Sequence, residues 1–149
     1  GFGLPAEEIL ALDPVFKWTF HTAREARRDA GCFDESRSDA GHNRIGAIFG
    51  NLSFPSASMA GFTQATTIAG LKGYGHDALA EAGVEFPEAR NRFTSGLPAL
   101  LLERALGLGG GAIALDAACA SSLYAIKLAC ARLHDCRADL MLARAVTDS

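Results

Sequence analysis

The spacing of apolar residues along this chain changes period several times, and each change predicts an element. Phe16, Phe20, Ala23 and Ala30 recur at helical spacing and mark one buried face. Asp13 suits the N-cap, Pro14 the first helical position, and Gly31 closes the helix about four turns later. Arg27 falls on the same stripe, so it either snorkels to an edge or loosens the packing. Residues 32–43 are polar and turn-rich and predict a surface loop leading into a strand at 44–49. Small and hydroxyl residues fill Asn51 to Gly75, with a short helix expected over Met59 to Leu71. Ala78 to Ala82 predicts a short helical piece, Val84 to Asn91 a loop holding Pro87, and Leu97 to Leu106 a helix that Gly107 terminates. Gly110 to Leu115 reads as a buried strand, and Ala138 to Val146 as another. Between them Leu123, Ile126, Cys130 and Leu133 give a long helix its apolar face.

Strands alternating with helices predict an α/β layered domain around a mainly parallel sheet. A length of 149 residues is one domain's worth, and 49% hydrophobic content with a mean hydropathy of +0.13 supplies a sizeable core. No apolar run has the length of a bilayer-spanning helix, and the opening Gly1-Phe2-Gly3-Leu4-Pro5 carries neither a basic region nor an apolar signal core. The expectation is therefore a cytoplasmic protein with no membrane association. A net charge of −3 from well-mixed signs lacks the basic stripe that nucleic acid would need. Cys32, Cys119, Cys130 and Cys136 read as thiols, since the chain is too long and too apolar for a disulfide-stapled miniature.

One cysteine stands apart. Cys119 lies between the Gly110 to Leu115 strand and the long helix, on a tight strand-to-helix turn. A cysteine there meets unpaired backbone N–H groups and the positive end of the helix dipole, both of which favour thiolate. The arrangement is that of a nucleophile elbow with sulfur in place of oxygen. Ser121 and Ser122 read as first-turn helix residues without a direct chemical role.

The other candidate motifs have plainer readings. Gly107-Leu108-Gly109-Gly110-Gly111 follows a helix and precedes a strand, the reverse of the dinucleotide fingerprint, and is a helix cap and turn. Gly70-Leu71-Lys72-Gly73-Tyr74-Gly75 has no strand feeding it and reads as a flexible loop. Asn51-Leu52-Ser53 fits a glycosylation sequon that would matter only in a secreted protein. Cys130, His134 and Cys136 lack a C-x-x-C pair and are weak metal ligands, so no metal site is expected. His21, His42, His76 and His134 read as surface or structural residues.

The stretch Asp116-Ala117-Ala118-Cys119-Ala120-Ser121-Ser122-Leu123 resembles the active-site turn of the β-ketoacyl synthases, the condensing enzymes of fatty acid and polyketide assembly. Asp13-Pro14 with the helix ending Arg24-Glu25-Ala26-Arg27-Arg28-Asp29-Ala30-Gly31, the strand Arg44 to Gly50, and the segment Cys130 to Val146 are similar to further stretches of that family, in the same order. The Leu97-Pro98-Ala99 helix and the wording Cys119 to Lys127 look closest to large iterative type I polyketide or polyunsaturated fatty acid synthases. The resemblance implies a five-layered thiolase fold made of two stacked halves. Residues 1–149 would be a partial ketosynthase N-terminal domain, the greater part of the first half, truncated at both ends. It implies acyl transfer from a carrier-protein phosphopantetheine onto Cys119, followed by decarboxylative Claisen condensation with a malonyl-type extender. No cofactor would be bound directly. The partners implied are acyl carrier protein and a second copy, paired through the strand Ala112 to Leu115. The family's two catalytic histidines would come from the other half, so these residues alone are expected to be inactive.

Two residues depart from the family's pattern: Arg27, where Leu is usual, and Arg144, which interrupts an apolar strand where Gly is usual. A buried, unpaired guanidinium is strongly unfavourable, so Arg144 needs an acidic partner or a route to solvent. Alternative readings are a thiolase-type acyltransferase with the same elbow, a cysteine hydrolase pairing Cys119 with one of the four histidines, and a non-catalytic scaffold or pairing subunit.

Overall fold

A computed structural model of the chain describes residues 2–31, 43–51, 56–71 and 88–146. Helix α1 spans Ala6–Leu10 and α2 spans Pro14–Asp29. Strand β1 (Ile45–Asn51) is followed by α3 (Ala57–Leu71), a 3-10 turn (Ala89–Phe93) and α4 (Leu97–Leu106). Strand β2 (Ala112–Leu115), a second 3-10 turn (Ala118–Ala120), α5 (Ser121–His134) and β3 (Leu140–Val146) complete the order. The expected helix at Ala78 to Ala82 and the loop at 32–43, apart from its last residue, lie outside the described residues, as do Cys32, His42 and His76.

The three strands form one parallel sheet in the order β2-β1-β3. Parallel neighbours cannot be joined by a tight hairpin, so each connection crosses over a face of the sheet. The chain moves from β1 to β2 at one edge, then back past β1 to β3 at the other. Right-handed crossovers in opposite directions put their helices on opposite faces. The packing agrees. Phe16, Phe20, Leu101, Leu102 and Ala105 of α2 and α4 pack with Ala47, Phe49, Leu142 and Val146 on one face. Ala125 and Ala129 of α5 pack with Ile48, Leu115 and Met141 on the other. The result is three layers, helix on sheet on helix, and β1 between them is buried from Gly46 to Asn51, as a central parallel strand should be.

Helix α2 starts at Pro14 as the sequence predicts, and Gly31 follows its end in the left-handed region at φ 66°. Asp13 precedes it without capping it, because its carboxylate accepts a hydrogen bond from the Ser56 hydroxyl and its own N–H donates to Asn91 Oδ1 at 2.9 Å. Ala30 is exposed, contrary to expectation, while Arg27 is buried on the stripe where its spacing put it and Val15 and Thr19 join that face. In the last turn of α2 only Arg27 is covered. Helix α4 ends as predicted at Gly107, in the left-handed region at φ 62°. Glu103 near that end accepts a hydrogen bond from the Ala112 N–H at 3.2 Å, tying α4 to the start of β2.

The expected apolar face of α5 is the largest correction. Its buried residues are Ser121, Ala125 and Ala129, whereas Leu123 and Ile126 are 69% and 51% exposed and Tyr124, Leu128, Cys130 and Leu133 also face outward. The reason lies across the interface: a Cβ on Gly50 of β1 would come within 2.7 Å of Ser121 Cβ and 2.7 Å of its carbonyl oxygen. A helix that lies this close to a strand can present only small residues to it.

Candidate active site

Strand β2 delivers the chain to the carboxyl edge of the sheet, where open α/β sheets place their ligands. Leu115 sits beside Gly50 in register, and the chain turns immediately after it. Asp116 Oδ1 accepts a hydrogen bond from the Ala118 N–H at 2.9 Å, a local turn of the kind Asp side chains favour. Ala118 then adopts φ 48°, a left-handed conformation that costs a non-glycine residue about 1–2 kcal/mol. The Ala120 N–H donates to the Ala117 carbonyl at 3.0 Å, closing the 3-10 turn, and α5 starts at Ser121. Cys119 is the middle residue of that turn and is exposed.

Ser121 braces the turn from the helix side. It is 4% exposed, and its hydroxyl accepts a hydrogen bond from the Ala117 N–H at 2.9 Å while donating to the Ala118 carbonyl at 2.7 Å. Helix α5 runs 14 residues behind the thiol and aims its N-terminal end at it. At the far end Arg132 donates to the Gly110 carbonyl at 3.2 Å, anchoring the helix to the turn before β2 and placing a cation where the dipole is negative. The chemistry available here is that of one accessible thiol, held on a short turn with the positive end of a helix behind it. That is a nucleophile's setting.

The two described histidines are not part of it. His134 ends the same helix, about 20 Å from the turn at 1.5 Å per residue. His21 lies exposed on α2, across the sheet, edge-on to Trp18 with ring centroids 5.9 Å apart. Pairing of Cys119 with a histidine, which a hydrolase would need, is therefore absent among the described residues. Cys130 and Cys136 are exposed free thiols, and among the described residues no three His, Cys, Asp or Glu side chains are grouped as metal ligands would be.

Arg144 occupies β3 beside Phe49, on the face that packs α2 and α4 rather than beneath the cysteine turn. It is partly buried, and desolvation holds its guanidinium below the ordinary arginine value. Its Nε donates to the Ala145 carbonyl at 3.4 Å. The sequence analysis asked for an acidic partner or a route to solvent, and the partial exposure of Arg144 supplies the second.

The family model "Beta-ketoacyl synthase, N-terminal domain" matches residues 1–149, the whole chain. This chain belongs to the β-ketoacyl synthase family. The chain is 31% identical over 146 residues, 98% of its length, to the mycocerosic acid synthase-like polyketide synthase of Mycolicibacterium smegmatis, of which it covers 6%. It is 31% identical over 98% of the chain to a phenolphthiocerol synthesis polyketide synthase type I of Mycobacterium marinum, covering 6% of it. It is 30% identical over 98% of the chain to the pikromycin polyketide synthase component PikAIII of Streptomyces venezuelae, covering 8%. The chain thus spans less than a tenth of the curated relatives it matches. No solved structure matches it. The family is one of condensing acyltransferases, and the three-layered parallel arrangement is consistent with its N-terminal domain. Among the described residues no helix is long and apolar enough to cross a membrane.

Sequence reasoning placed Cys119 on the strand-to-helix turn where it lies but missed both residues that hold the turn in place. Gly50 and Ser121 lie 71 positions apart in the numbering, and only the fold brings them together. The spacing Ser121, Ala125, Ala129 was a signal that could have been used, since small residues at i, i+4 and i+8 mark a face that approaches another backbone closely.

Proposed function

We propose that the domain carries the nucleophile of a polyketide-type or fatty acid-type condensation. The Cys119 sulfur attacks the carbonyl carbon of an acyl thioester held on a carrier-protein phosphopantetheine. A carbon–sulfur bond to Cys119 forms, the bond to the pantetheine sulfur breaks, and that sulfur leaves with the proton given up by the thiol. A malonyl-type extender on a carrier protein then loses carbon dioxide, and the carbanion attacks the Cys119 thioester. A carbon–carbon bond forms, and the Cys119 sulfur leaves as thiolate. The backbone N–H of Cys119 would serve as one donor to the oxyanion that develops at the acyl carbonyl. No described histidine lies near the turn, so the groups that promote decarboxylation come from outside the described residues.

The observation that carries this reading is the exposed thiol on the braced turn between β2 and α5, in a chain whose family is known. Two further features support the wider proposal. The outward row Leu123, Tyr124, Ile126, Leu128 and Leu133 is the kind of surface that the second half of a five-layered fold would cover. Ile113, 36% exposed on β2 at one edge of the described sheet, suits pairing of two copies through that strand. The test is limiting iodoacetamide on the full-length folded protein near neutral pH, followed by peptide mapping. Cys119 should be labelled before Cys32, Cys130 and Cys136, and preferential labelling of any of those three would contradict the assignment.

A further inference from the structure

Ser121 is not accounted for by the chemistry above. Its neighbour Ser122 has the same side chain but is exposed, as a first-turn serine on a helix surface should be. Ser121 is 4% exposed and makes two hydrogen bonds that reach back across the cysteine: one from the Ala117 N–H at 2.9 Å, the other to the Ala118 carbonyl at 2.7 Å. The peptide groups leading to Cys119 are thus tied to the helix that leaves it. Between them Ala118 holds φ 48°, a conformation that an L-residue keeps only when its surroundings leave it no alternative. The brace has a fixed seat, because a Cβ at Gly50 would lie 2.7 Å from Ser121 Cβ and 2.8 Å from its carbonyl carbon. Ser121 therefore rests directly on the backbone of the central strand. It cannot move towards the sheet, and its hydroxyl stops the turn from relaxing away.

We infer that Ser121 is a positioning residue for acyl transfer: seated on Gly50, its hydroxyl fixes the left-handed Ala118 turn and so the direction in which the Cys119 sulfur is presented. The inference rests on the reading of Cys119 as the acylated nucleophile. A small loss of orientation at a reacting atom slows the bond-making step without weakening the binding of the rest of the donor.

The test compares the full-length protein with its Ser121→Ala and Ser122→Ala variants, using an acyl pantetheine thioester as donor and mass spectrometry of the Cys119 peptide as readout. In Ser121→Ala the acylation rate at saturating donor should fall about tenfold, equivalent to about 1.4 kcal/mol, with the KM for the donor unchanged. Ser122→Ala should match the parent in both. Far-ultraviolet circular dichroism should be the same for all three proteins, reporting an intact fold. A folded Ser121→Ala protein that acylates at the parental rate, or one altered only in KM, overturns the proposal. So does a Ser121→Ala protein that unfolds, because the hydroxyl then supports the domain rather than the turn. A parent that takes no acyl group on Cys119 overturns the proposed function and this inference together, whereas a normal parent beside an unaffected variant removes only the role of Ser121.

Discussion

Replacing Gly50 with Ala adds one methyl group where α5 rests directly on β1. The new Cβ would stand 2.7 Å from Ser121 Cβ, 2.7 Å from its carbonyl oxygen and 2.8 Å from its carbonyl carbon. Carbon atoms rest comfortably at about 3.5–4.0 Å, so roughly 1 Å of space has to be found. Neither side yields easily. Gly50 lies in the central strand between Leu115 and Ala145, and Ser121 is tied to Ala117 and Ala118. Tilting α5 would lift Ala125 and Ala129, 0% and 4% exposed, off Ile48. Overpacking of this kind costs about 1–3 kcal/mol, and backbone on both sides of the contact argues for the upper half of that range. The reduced freedom of the unfolded chain returns about 0.4–1 kcal/mol. The expected net loss is about 1–2.5 kcal/mol, read as a lower urea midpoint with an unchanged slope. Gly61→Ala in α3 is the control, since nothing lies within 4 Å of a Cβ there and a helical alanine should stabilise by about 0.5–1 kcal/mol. A Gly50→Ala midpoint equal to or above the parent's would refute the claim that α5 is seated on β1 at this residue.

Arg144→Leu should raise stability by about 1 kcal/mol in the same urea series, because the partly buried guanidinium is replaced by a side chain matching Leu142 and Val146 on that face; a loss would mean that the charge is better accommodated than its desolvation suggests. Arg90 bonds Glu88 at 3.0 Å and Glu8 at 2.7 Å, and its hydrogen bond holds the Glu88 carboxyl below the usual range. A depressed carboxyl contributes stability above its unfolded pKa and loses it as pH falls through the folded value, so acidification below about pH 4 should loosen the Ala89–Phe93 turn. Arg90→Met should flatten that part of the melting temperature against pH curve, and an unchanged curve would remove the clamp from consideration. Ile113→Lys should convert a dimer to monomer in light scattering if copies pair through β2, and a dimer that persists would place the interface elsewhere.

The elements that the sequence made legible are those with local punctuation. Helices α2 and α4 are set by Pro14 and Pro98 near their starts and by Gly31 and Gly107 after their ends, so nothing distant was needed to find them. The cysteine turn was legible for the same reason, lying between an apolar run and a helical one. The orientation of α5 was not, because it carries two competing stripes, and the larger residues belong to the outward one. Which stripe faces the sheet is decided by Gly50, a residue with no local tie to the helix. Asp13 misled in a similar way: it has the character of a cap, but Ser56 takes its carboxylate across 43 positions of sequence. The short α1 and the 3-10 turn at Ala89–Phe93 lack any periodicity long enough to register.

The central claim is that Cys119 accepts the acyl group. Incubating the full-length protein with an acyl pantetheine thioester and measuring the mass of each cysteine peptide tests it most directly. The prediction is a single acyl adduct on the peptide that contains Cys119, lost in Cys119→Ala and released by hydroxylamine as a thioester should be. An adduct on Cys32, Cys130 or Cys136, or one that survives Cys119→Ala, would contradict it.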